Sequence, residues 1–169
     1  PMVSGIFNGF LRSFSNTQWK IRGNDFWVTI SSTKGRPVVI FANRASNVEN
    51  GTDERAQQAL AAHLRSNNLQ PTITIHRGHS YVTRNTIEQM SAASKIVFLG
   101  SCGGYHLIHQ VLGVAPDAHI IATKQIGKTA INRPFFQLLA EKLRKGEDVD
   151  WQQFWNQLGA LAGYNGFDD

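Results

Sequence analysis

Short apolar runs rich in β-branched residues alternate with segments of helical spacing through most of this chain, and few architectures satisfy such an alternation. Thr72–His76, Lys95–Gly100 and Ala118–Thr123 read as strands. Between them lie Thr83–Met90, with Thr83 as its cap, and Gly104–Leu112, both with helical spacing. Ile131–Lys145 follows as a helix, with Phe135, Leu138, Leu139 and Leu143 on one face and Gly146 as its stop. Strand–helix–strand order makes successive strands parallel, and runs apolar on both sides require cover on both faces. The expected fold is therefore α/β, with a largely parallel central sheet covered by helices on both faces.

The flanks complete this outline. Gln18–Ile21 and Phe26–Ser31 surround Arg22-Gly23-Asn24-Asp25, whose residues suit a turn, so an N-terminal β-hairpin is expected. Val38–Ala42 reads as a strand covered on both faces, and Asn43–Gly51 as a loop. Thr52 or Asp53 is expected to cap a helix carrying Ala56, Ala59, Leu60, His63 and Leu64. Trp151, Phe154, Trp155, Leu158 and Leu161 form the apolar stripe of a last helix and are expected in the core. A proline ahead of methionine is not a natural start, so residues 1–4 read as appended and the chain as a fragment; residues 163–169 read as a loose tail. With 169 residues, a single domain over 1–169 is the simplest organisation.

A net charge of +5 permits acidic partners, but the cations are scattered. Their densest group, Lys142-Leu143-Arg144-Lys145, falls in the expected last turn of a helix, where positive charge meets the negative end of the dipole. No nucleic-acid-binding motif accompanies the charge, so no nucleic-acid partner is expected. No apolar stretch reaches the length of a membrane span. The single cysteine excludes an internal disulfide.

That cysteine carries the chemistry. Cys102 follows the run Lys95–Gly100, and His76 and His79 lie at or beyond the end of Thr72–His76. In open α/β sheets, functional groups collect beyond the carboxyl ends of the strands. His79, Cys102 and Lys124-Gln125 should thus emerge at one edge. Cys102 also precedes an expected helix, whose unpaired N–H groups and dipole would lower a thiol pKa. Gly103 and Gly104 allow a tight turn and leave room for a substrate backbone. His76 is placed to be held by packing. His79 lies past Gly78, where its ring reaches over the sheet edge, and is the favoured partner of the thiol. Gly78 offers a sparsely covered N–H, as an oxyanion site requires.

These residues resemble a known group. Arg77-Gly78-His79-Ser80 is similar to the His-Gly element, and Gly100-Ser101-Cys102-Gly103-Gly104 to the small-residue-Cys block, of the caspase-like (clan CD) cysteine peptidases: caspases, legumains, gingipains, clostripain and separases. The order of elements is similar over roughly residues 38–145. Two departures stand out. His79 and Cys102 are separated by 102 − 79 = 23 residues, short for such enzymes, and Ser80 replaces a glycine that often follows the histidine. The resemblance implies a caspase-like sandwich acting as a cysteine endopeptidase on protein or peptide substrates, without metal or cofactor. It implies Cys102 as nucleophile, His79 as acid and base, and the N–H groups of Gly78 and Cys102 as the oxyanion site. Lys124 and Gln125 occupy a place where such enzymes carry specificity residues, with Gly103 beside the substrate. Lys124 in the S1 site would favour an acidic or polar P1 residue.

Other motifs fail on their own chemistry. Gly127-Lys128-Thr129 lacks the earlier glycine of a phosphate loop, since that position is Ala122. A cysteine phosphatase loop needs arginine at 108, which is isoleucine. His76 with His79 and His106 with His109 lack the geometry of a zinc site, and no metal is expected. Asn50-Gly51-Thr52 matches a glycosylation triplet at chance frequency. Two other functions stay open: a non-catalytic interaction module of the same fold, and a thiol-dependent hydrolase of small amides.

Overall fold

A computed structural model describes residues 2–14, 16–44, 51–125 and 127–163. They divide into two compact units, residues 1–60 with 129–169, and residues 61–128. Among the described residues the strands do not share one central sheet. They form two three-stranded sheets, one antiparallel and one parallel, and the fold is α/β. No helix among these residues is long and apolar enough to cross a membrane.

The first unit opens with α1 (Met2–Arg12), a helix ahead of the expected hairpin, and residues 2–4, which read as appended, belong to it. Phe7, Phe10, Leu11 and Phe14 recur at helical spacing and pack with buried Trp19, Val28 and Ile30. Phe14 meets Trp19 edge-on, with ring centroids 5.2 Å apart. β1 (Trp19–Gly23) and β2 (Trp27–Ser32) form the expected hairpin, with Trp19 opposite Ser32. Asn24 makes its turn, its side-chain oxygen accepting from the N–H groups of Phe26 and Trp27 at 2.8 and 2.9 Å.

β3 (Val39–Asn43) corrects one expectation. It pairs antiparallel with β2 and is half-buried, with Val39 exposed, rather than covered on both faces. Residues 33–38 are too few for the crossover of roughly a dozen residues that a parallel partner requires. The loop expected after it lies mostly outside the described residues.

α5 (Thr129–Lys145) and α6 (Trp151–Ala162) belong to the same unit. Gly146, at φ 73°, ends α5, with Gly146 N–H donating to Leu143 and Glu147 N–H to Lys142, which is a Schellman closure. The basic group in its last turn is engaged locally. Lys142 pairs with Glu147 at 3.2 Å, and Arg144 with Glu141 at 2.6 Å. Glu141 also accepts from the Trp19 indole at 2.9 Å. The Arg144 hydrogen bonds foremost, with that indole, hold the Glu141 carboxyl below its ordinary range despite partial burial. Asp150 caps α6 by accepting from Gln153 N–H. Phe154 and Leu158 are fully buried, as expected for the stripe, but Leu161 is 64% exposed and is not core. Beyond Gly163, the expected tail lies outside the described residues.

α2 (Thr52–Ser66) crosses the boundary between the units. It begins at Thr52 itself, one residue ahead of where a Thr52 cap would start it.

The second unit holds β4 (Ile73–His76), β5 (Ile96–Leu99) and β6 (His119–Ala122), all parallel, with β5 in the middle. All four residues of β5 are buried, the mark of a central parallel strand. α3 (Thr83–Glu88) and α4 (Ile108–Val114) form the crossovers. Ile87 and Val111 from these helices pack with Val97 and Leu99 of β5 into one apolar cluster. The register sets Ile73 beside Ile96 and Ile96 beside His119, so each strand returns after 23 residues (96 − 73 and 119 − 96).

Candidate active site

The repeat of 23 residues has a direct consequence at the carboxyl edge. His76, Leu99 and Ala122 lie side by side in register. Three residues farther along each path stand His79, Cys102 and Gln125. The structure thus brings these residues to one edge, with the Cys102 path between the other two.

The two histidines differ sharply. His76, the last residue of β4, is buried. Its Nε2 lies 3.3 Å from the His79 carbonyl oxygen, which can only accept, so Nε2 carries the proton. Its Nδ1 then accepts from the Thr86 hydroxyl at 2.8 Å. Burial foremost pushes the His76 pKa below the ordinary histidine range, against the raising effect of the His79 carbonyl. Both ring nitrogens are committed and the ring is neutral, so His76 serves to hold the His79 backbone.

His79 is exposed. Its carbonyl accepts from Val82 N–H at 3.2 Å as well as from His76. Its ring stacks on Tyr81, with centroids 5.1 Å apart and planes 10° from parallel. A one-turn 3₁₀ helix over Ser80–Val82 leads into α3. Thr83 does not cap α3. The N-cap is Val82 without a side-chain bond, and the buried Thr83 hydroxyl lies 3.0 Å from that of Ser101.

Cys102 is an exposed free thiol. It sits in a turn closed by Gly104 N–H donating to the Ser101 carbonyl at 3.2 Å. Gly103 is the third residue of that turn, at φ 68°, a left-handed conformation suited to glycine. The helix expected directly after Cys102 is instead a 3₁₀ turn over Gly104–Leu107, and α4 starts only at Ile108. The N–H groups of Gly103, Gly104, Tyr105 and His106 already donate to Gln125, Ser101, Thr123 and Gly103 carbonyls. No bundle of free helix N–H groups therefore faces the thiol. Gly104 gives no room to a substrate either, since a Cβ there would lie 2.6 Å from the Leu99 carbonyl oxygen.

Among the described residues, the N–H groups of Gly78 and Cys102 donate to no acceptor, nor do those of His79 and Ser101 on the same loops. Lys124 and Gln125 are exposed, and Gln125 ties its loop to the cysteine turn through the Gly103 N–H at 2.9 Å. The loops 77–82, 100–107 and 123–128 contain Arg77, Lys124 and Lys128 and no aspartate or glutamate.

Sequence reasoning missed Thr86, Thr83, Ser101 and Thr123, the hydroxyl residues that brace the two loops, and Tyr81 beneath the His79 ring. It considered His106 only as a metal ligand, yet its Cδ2 lies 3.3 Å from where a Cβ on Gly103 would be. Among the described residues, no three His, Cys, Asp or Glu side chains group as a metal would require. Compared with family models, curated proteins and solved structures, the chain matches none.

Proposed function

We propose that this chain is a cysteine endopeptidase of caspase-like type, working through a dyad of Cys102 and His79. The observation that carries the reading is the pairing of an exposed thiol and an exposed imidazole on loops that leave neighbouring parallel strands at one edge. The open N–H groups of Gly78 and Cys102 are compatible with it, because a developing oxyanion needs donors not already satisfied.

In the reaction, the Cys102 sulfur adds to the scissile carbonyl carbon, and the carbonyl π electrons move onto oxygen. That oxyanion accepts from the Gly78 and Cys102 N–H groups. Collapse of the adduct breaks the C–N bond, and protonated His79 gives its proton to the departing amine. The acyl group stays on sulfur as a thioester. A water molecule, losing a proton to His79, adds to the thioester, and collapse releases the acid and the thiolate. His76 takes no proton in this scheme, since both its nitrogens are engaged. The cationic, carboxylate-free loops at this edge favour substrates with an acidic residue near the scissile bond, with Lys124 as the specificity residue.

The test is turnover of a fluorogenic peptide library combined with labelling by peptidyl acyloxymethyl ketones. Wild type is expected to cleave a subset of peptides. Cys102→Ala abolishes cleavage, and His79→Ala lowers kcat by about 10²–10⁴-fold. A wild-type protein that cleaves nothing, and whose Cys102 reacts no faster than a free cysteine, overturns the proposal in favour of a non-catalytic module.

A further inference from the structure

The peptide unit joining Ser101 to Cys102 is gripped at one end and open at the other. Its carbonyl oxygen accepts from the Thr123 hydroxyl and from Gly104 N–H. Its N–H donates to no acceptor among the described residues. The unit is trans, so its C=O and N–H point in opposite directions. A hydroxyl pulling the carbonyl toward the exit of β6 therefore aims the Cys102 N–H away from it. Rotating the unit by half a turn would set that N–H against Gly104 N–H, two donors face to face.

Thr123 is itself fixed. Its N–H donates to the Leu99 carbonyl at 3.3 Å, and its carbonyl accepts from Tyr105 N–H at 3.1 Å. Its hydroxyl has one proton, and the Leu99 carbonyl, at 3.5 Å, is at the limit of reach, so the proton goes to Ser101. The Ser101 side chain is held separately by Thr83. A donor on the carbonyl oxygen also polarises the amide and strengthens its N–H as a donor in turn.

We infer that Thr123 is a positioning residue for the oxyanion site, its hydroxyl aiming and polarising the Cys102 N–H through the Ser101–Cys102 peptide unit. This rests on the peptidase reading for its catalytic consequence but not for its geometry. The Thr123 side chain touches no reacting atom in this scheme.

The experiment compares wild type, Thr123→Val and Thr123→Ser. Valine keeps the shape and removes the hydroxyl; serine keeps the hydroxyl. With valine, kcat falls on the order of tenfold while KM holds, and a peptide aldehyde, whose adduct on Cys102 carries an oxyanion, loses potency to a similar extent. Alkylation by iodoacetamide, which forms no oxyanion, keeps its rate, and serine restores most of the loss. The Cys102 amide signal in ¹⁵N-resolved NMR shifts with valine and returns with serine. An unmoved amide signal with valine overturns the inference, as does an equal loss of aldehyde potency and iodoacetamide rate. If wild type cleaves nothing, the peptidase reading falls alone, and the amide signal still decides the geometric claim.

Discussion

Two adjacent glycines in the cysteine turn should respond differently to the same substitution. Gly103 adopts φ 68°, so alanine there incurs the left-handed penalty of roughly 1–2 kcal/mol. Restricting the unfolded chain returns about 0.4–1 kcal/mol, which leaves a net loss near 1 kcal/mol. The new methyl would meet His106 Cδ2 at 3.3 Å, a side chain that can turn aside. At Gly104 the obstacle is backbone. The methyl would lie 2.6 Å from the Leu99 carbonyl oxygen and 2.9 Å from Leu99 Cβ, far inside an ordinary contact. Leu99 ends the buried central strand, and its carbonyl also accepts from Thr123 N–H, so relief strains a second bond. Overpacking of this kind costs about 1–3 kcal/mol or more. Gly104→Ala is expected to lose about 2–3 kcal/mol, at least twice the loss for Gly103→Ala, and Gly103→Asn less than either. Urea unfolding followed by far-UV circular dichroism is the assay, because all four tryptophans lie outside residues 61–128. Equal losses at the two positions, or a Gly104→Ala protein as stable as wild type, would refute this account of the turn.

Burial lowers the His76 pKa in the folded state, so below about pH 6.5 the unfolded chain takes up a proton that the native state resists. Stability should be fully present above that pH and decline as pH falls from there toward the lower native value. His76→Asn should be less stable at pH 7.5 by about 1–3 kcal/mol and show a flatter pH dependence, read from urea midpoints between pH 7.5 and 5. Under the proposed specificity, Lys124→Glu should reduce kcat/KM for peptides with an acidic P1 residue by on the order of tenfold or more, with neutral P1 peptides much less affected. Equal loss on both substrate sets would exclude Lys124 as a specificity residue.

The residues told most about elements and least about partners. The run Ile96-Val97-Phe98-Leu99 identifies itself as a buried strand because no polar side chain interrupts it, and Asn24 marks its turn. Val38–Ala42 looks much the same, yet it belongs to an antiparallel sheet. The signal that separates the cases is the short link at 33–38, not the strand. Ile6, Phe7, Phe10, Leu11 and Phe14 carry helical spacing too, in a stretch for which no element was expected. At the site, the glycines and the histidine–cysteine pair are visible as types. The hydroxyl bracing by Thr83, Thr86 and Thr123 is not, since a threonine near a strand end has many uses and only the spatial partner selects one.

The position of β4 bears on how such a site would fail. Among the described residues it has one neighbouring strand, and Ile75 faces solvent, whereas β5 is sealed on every residue. Amides of β4 should exchange with solvent before those of β5. Mild heat would then unseat the imidazole while the sulfur kept its post, silencing the molecule well short of melting.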